Sequence, residues 1–148
     1  MTTYIDSEHL KELLEREGGS VVPASVCRGF EEFAGRLPWL AGRLDWRRLA
    51  PYSTLRLSRM DAGSVDAWLA ETGLASVQFL VAFYRGDESG VCLSTKAALR
   101  NIDVLFWKAP GPRFMFGMVE RERGLEPSYD RFIEYDGADL LTSKVCRA

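Results

Sequence analysis

Val77-Gln78-Phe79-Leu80-Val81-Ala82-Phe83-Tyr84-Arg85 runs into Gly86-Asp87-Glu88-Ser89-Gly90 and then into Val91-Cys92-Leu93-Ser94-Thr95. The first run is aromatic and β-branched, the composition of a buried strand. The glycine-bounded acidic stretch is a turn signal, and 91–95 reads as the return strand of a hairpin. Downstream, Ile102 to Lys108 reads as another strand, Ala109-Pro110-Gly111-Pro112 as a stiff turn and Arg113 to Glu120 as its partner. A charged loop (121–128, RERGLEPS) follows, then a last short strand from Asp130 to Tyr135 and a terminal helix over 138–145.

Upstream, the patterning is helical. Leu10, Leu13 and Leu14 stand at helical spacing between a cap at Asp6 or Ser7 and a stop at Gly18-Gly19. A second helix starts after Pro23 with Ser25 as its cap, carries the stripe Val26, Phe30, Phe33, Ala34 and Leu37, and ends at Pro38. Trp39 to Leu49 is a short helical or turn segment, Thr54 to Met60 alternates like a half-buried strand, and Ser64 caps a third helix over 65–72 that Gly73 ends. Helices followed by an antiparallel meander of about five strands make an α+β, two-layer architecture, read as a single domain over residues 1–148. The strand-helix alternation of a parallel sheet is missing.

Composition narrows the function classes. Hydrophobic residues make up 47% and charged residues 27%, ordinary globular usage, so disorder is not indicated. A net charge of −2 argues against a dedicated nucleic-acid binder, which carries a basic excess. The first residues lack a basic and an apolar region, and the longest apolar run, Phe79 to Tyr84, is too short for a bilayer, so a cytoplasmic protein with no membrane partner is expected. Cys27, Cys92 and Cys146 are scattered and read as reduced structural thiols.

Catalytic chemistry has little to stand on. The one histidine, His9, sits on the charged first helix, where a Ser-His-Asp or Cys-His site would have to use it. No glycine-rich phosphate loop or nucleophile elbow is present, and Asp87-Glu88 occupy the turn where phosphate would need bare amides. The expectation is no catalytic residue, no metal site and no cofactor.

Two features rise above this background. From Arg36 to Arg59 the chain carries Arg36, Arg43, Arg47, Arg48, Arg56 and Arg59 against the single acid Asp45. From Glu120 to Asp139 seven acids face Arg121, Arg123 and Arg131. Such segments steer a charged partner, pair with each other, or are simply solvated. Trp39, Trp46 and Tyr52 within the basic stretch would allow base stacking, but the seven-residue spacing of the tryptophans suits core packing better. The second feature is the apolar hairpin 104–118, in which neither strand has a polar face; it is either covered on both sides or an interface.

In size, mild acidity, expected compartment and lack of catalytic groups, the chain resembles the small cytosolic immunity proteins of bacterial polymorphic and contact-dependent toxin systems. The Leu-Pro step in Gly35-Arg36-Leu37-Pro38 is similar to one in the SUKH-type immunity superfamily, whose further glycine and acidic signals do not follow. The resemblance implies a protein inhibitor that occludes the active site of a cognate toxin. If the toxin is a nuclease, its cleft is basic and the acidic segment is the natural complement. Glu122, Glu126, Asp130, Glu134 and Asp136 are then the contacts, with Tyr129 and Tyr135 as anchors. The alternative is a small-ligand or regulatory domain with a pocket between sheet and helices, lined by Trp68, Phe83 and Trp107.

Overall fold

Nine strands and five α-helices make up the described residues 7–107, 109 and 112–145 of a computed structural model. In chain order they are α1 (Glu8–Glu17), β1 (Ser20–Val22), α2 (Ala24–Gly35), β2 (Trp39–Leu40), β3 (Arg43–Leu44), β4 (Tyr52–Arg56) and α3 (Ala62–Thr72). There follow β5 (Phe79–Phe83), β6 (Gly90–Ser94), α4 (Thr95–Arg100), α5 (Ile102–Leu105), β7 (Arg113–Arg121), β8 (Gly124–Tyr135) and β9 (Leu140–Lys144). The mixed architecture and its antiparallel sheet agree with the sequence reading. The strand count does not, because the main sheet has seven strands in the order β1-β6-β5-β7-β8-β9-β4. The hairpin of β5 and β6 sits near its centre, with Val81 opposite Cys92. Strands β2 and β3 form a separate small hairpin.

The sheet is covered on both faces, so the architecture is not the two-layer one read from sequence, and its strands lack a polar parity for that reason. Leu80, Ala82, Val91, Leu93, Met115, Ile133 and Leu141 belong to a core shared with α1, α3, α4 and α5. Val81, Phe83, Cys92, Phe114, Phe116 and Phe132 belong to the other, shared with α2 and the small hairpin. Phe30 of α2 stacks on Phe116 with centroids 4.7 Å apart, and Phe116 on Phe132 at 5.3 Å. All three rings are fully buried. Removing such a ring costs about 3–5 kcal/mol in comparable cores.

Several local expectations are corrected. Residues 102–105 form helix α5, so 104–118 is not a hairpin; Arg113–Arg121 pairs instead with β5 and β8. Ile102, Leu105 and Phe106 are buried while Asp103 is exposed, a one-sided helical pattern. The part of the proposed turn at 110–111, with Lys108, lies outside the described residues, as do Asp6 and Cys146. The segment read as a terminal helix holds β9, which pairs with both β4 and β8. Trp39 to Leu44 contains the small hairpin, and only Trp46–Leu49 is helical, as a 3₁₀ turn. Helix α3 begins earlier than read. Asp61 is its cap, and Ser64 completes a reciprocal capping box. Pro23 rather than Ser25 caps α2. No helix among the described residues is long and apolar enough to cross a membrane.

Candidate functional site

The C-terminal acidic segment is an arm rather than a loop. Strand β7 stays beside β5 only as far as Met118, opposite Phe79. Beyond that it continues to Arg121 with β8 alone for company, and the pair closes through a two-residue turn, Glu122-Arg123. Gly124 then takes φ +110°, a conformation that L side chains rarely adopt. On its other side β8 meets β9 only at Ile133, Glu134 and Tyr135. Residues 124–128 therefore have a strand on one side only. The charged run hid this strand because the arm has no core to alternate against. Pro127, which marks an edge when it falls in a strand, was the available signal.

The outer edge of the arm is poorly suited to strand addition. Glu120 donates its backbone N–H to Gln78 Oε1 at 3.0 Å, so that group faces away from β8. Its opposite number Leu125, and likewise Pro127 opposite Met118, turn their backbone groups to the free edge. Proline brings no donor there, which blunts the edge. What the arm offers is side chains.

A bulge fixes the base of the arm. Phe116 pairs with Phe132 but Gly117 pairs with Ser128, which leaves Tyr129, Asp130 and Arg131 unopposed. Tyr129 stacks on Phe33 of α2 (5.4 Å, 24°) and meets Phe30 edge-on. Gly29 permits this, because a Cβ there would lie 2.8 Å from the Tyr129 hydroxyl. Arg131 donates to the Gly73 carbonyl at the end of α3 (3.3 Å) and to Asp130 Oδ2 (2.8 Å). Gly117 lets the bulge close over β7: a Cβ there would meet the Arg131 carbonyl oxygen at 3.0 Å and Val77 Cγ1 at 2.9 Å. The bulge is thus tied to helices on both faces of the sheet.

Of the seven residues singled out from sequence, four lie on this arm and bulge. Glu122, Glu126, Tyr129 and Asp130 are exposed. Tyr129 (38%) and the neighbouring Leu125 (41%) are the large apolar groups exposed on the arm and bulge. Glu126 is 3.7 Å from Arg121, an exposed pair worth little. The other three are engaged in the fold. Glu134 accepts from Leu44 N–H (3.0 Å) and Trp46 Nε1–H (2.8 Å), latching the small hairpin and the following 3₁₀ turn to the sheet. Burial raises its pKa, and those two bonds only partly oppose the shift. Tyr135 is buried; burial, with its hydrogen bond to Asp103 (3.1 Å), pushes its phenol up to about 12. Asp136 accepts three backbone N–H groups, from Ala138, Asp139 and Leu140. Burial raises its pKa, but together those bonds outweigh that and hold it below the usual range.

The basic and acidic segments meet in places. Arg56 lies 3.7 Å from Asp139, which also accepts from the backbone and hydroxyl of Ser58. Trp46 is stacked on Phe132 and Trp39 is set against Phe114, so neither tryptophan is a free platform for bases. Trp68, Phe83 and Trp107 do not share a pocket. The sheet separates the first two, and Trp107 is 58% exposed beside His9, Asp103 and Val104. Among the described residues, no three His, Cys, Asp or Glu side chains are grouped to hold a metal ion. Burial pushes the Cys27 and Cys92 thiols up to about 11. Set beside known protein families, curated proteins and solved structures, the chain matches none.

Proposed function

We propose that the protein is a protein-binding inhibitor, of the kind bacteria keep as immunity proteins, and that the β7–β8 arm is its docking element. The supporting observation is the arm itself: a strand pair anchored through the Tyr129 bulge on both helical layers, yet left uncovered beyond Met118. Its exposed side chains are Leu125 and Tyr129, the acids Glu120, Glu122, Glu126 and Asp130, and the bases Arg121 and Arg123. Exposed apolar side chains with an excess of acids over bases would complement a basic cleft, such as the phosphate-binding groove of a nuclease toxin, and occluding that groove would silence it.

The test starts from the adjacent genes: one of them is expected to encode a secreted protein whose C-terminal domain is toxic when expressed alone, and the absence of such a gene would count against the reading. Co-expression should restore growth, and the purified pair should form a complex. Glu122→Lys with Glu126→Lys should weaken that complex about tenfold or more, with little change in melting temperature. A neighbouring toxin domain that kills equally with and without the protein would refute the inhibitor reading. Normal binding by the charge-reversed variant would refute the arm.

A further inference from the structure

We propose that the free edge of β4 is a second docking site, independent of the arm, which takes an extended acidic segment of a partner protein as an added strand. β4 is the outermost strand of the main sheet. Val145 donates to the Pro51 carbonyl (2.9 Å) and Leu57 to the Asp139 carbonyl (2.8 Å), which fixes the odd-numbered residues as the ones facing β9. By alternation, the N–H and C=O groups of Tyr52, Thr54 and Arg56 point away from the sheet. The Arg56 carbonyl is used by the 3₁₀ turn Leu57–Arg59 that it caps, which leaves the N–H and C=O of Tyr52 and Thr54 and the N–H of Arg56 as the outward groups with no partner shown among the described residues. All three residues are exposed, and unlike the arm this edge contains neither proline nor lysine to discourage pairing. Such an edge is the template for strand addition.

Charge selects the occupant. Leu55 faces the core beneath α3, so Tyr52, Thr54 and Arg56 carry their side chains on the opposite face. There Tyr52 borders a recess of about 470 Å³ whose walls include Leu40, Arg43, Asp45, Trp46 and Arg47. Arg43 and Arg47 are exposed, and no carboxylate among the described residues is shown within ion-pair distance of either, though Arg43 acts at longer range on the half-buried Glu134. Every second side chain of an added strand would project towards them, and carboxylates there would find two arginines against the single recess acid Asp45 and that more distant Glu134 carboxylate. A second copy of this chain pairing β4 to β4 would instead bring one arginine-bearing face against another, at a cost in like-charge repulsion.

The probe is a fluorescein-labelled heptapeptide of alternating valine and glutamate, titrated with the full chain and followed by anisotropy, with the valine–lysine heptapeptide as control. The glutamate peptide should bind saturably, and more weakly as salt is added. Arg43→Glu with Arg47→Glu should weaken it about tenfold or more. Thr54→Pro, which removes one outward N–H, should abolish binding; if that variant fails to fold, the exposed charge reversal decides. Absence of saturable binding at millimolar peptide, or equal binding of the lysine peptide, would overturn the proposal. So would a dimer in sedimentation that Thr54→Pro dissolves, since the edge would then belong to a second copy. None of these outcomes bears on the arm, whose charge-reversal test is separate.

Discussion

Glu134→Ala should loosen the latch between the small hairpin and the sheet. The carboxylate uses its two oxygens separately, one for Leu44 N–H and one for Trp46 Nε1–H. Removing it strands both donors; Leu44 is 1% exposed, so water replaces its acceptor poorly. A buried donor left unsatisfied costs about 1–3 kcal/mol. Trp46 lies nearer solvent, so the sum should fall at about 2–4 kcal/mol. In a domain of this size that corresponds to a fall in melting temperature of about 5–12 °C. Glu134→Gln should cost roughly half as much, because its amide offers one acceptor and turns a donor towards the other N–H. The assay is thermal and urea unfolding by circular dichroism, repeated in a Trp46→Phe background. There Glu134→Ala should cost about 1 kcal/mol less, since one of the two donors is already gone. The sign with pH also follows. Burial raises the folded pKa, so the folded state holds its proton more tightly than the unfolded chain. The pH-linked part of the stability that Glu134 contributes is present below the unfolded carboxylate value and is lost as pH rises through the folded one, on top of the hydrogen bonds themselves. The variants should lose that slope. An alanine variant melting within a degree of wild type, or strict additivity with Trp46→Phe, would refute the latch.

Gly117→Ala should destabilise by about 1–3 kcal/mol, because its Cβ meets the Arg131 backbone and Val77 rather than a flexible side-chain end; chemical denaturation measures it. Asp61, Asp136 and Asp139 have lowered pKa values. Their contribution is present above the unfolded carboxylate pKa and lost as pH falls through the folded values, so acid unfolding of Asp136→Asn should be less steep than that of wild type. Cys27 and Cys92, with thiols near 11, should resist alkylation at pH ~8 in the native protein and react in urea, read by mass spectrometry of tryptic peptides.

The central hairpin was legible from residues 77–95 alone, because β-branched and aromatic runs flanking a glycine-bounded acidic turn favour one local structure. So were α1 and the register of α2, whose stripe of Phe30, Phe33 and Ala34 does meet the sheet. Residues 102–106 were ambiguous in a different sense: a short, almost wholly apolar run suits a buried strand and a buried helix equally, and packing against α1 chose the helix.

Residues 138–145 show the limit most clearly. Their local propensity allowed a helix. They became β9 because Leu141 fits opposite Leu55 and Tyr135, partners that no local window contains. The candidate site divides the same way. The sequence supplied the acids, the aromatics and the proline of an edge. Only tertiary pairing determined that Glu134, Tyr135 and Asp136 are spent on the fold while Glu122, Glu126, Tyr129 and Asp130 stay at the surface. A carboxylate's role follows from which donors surround it, and those donors arrive from residues nearly a hundred positions away.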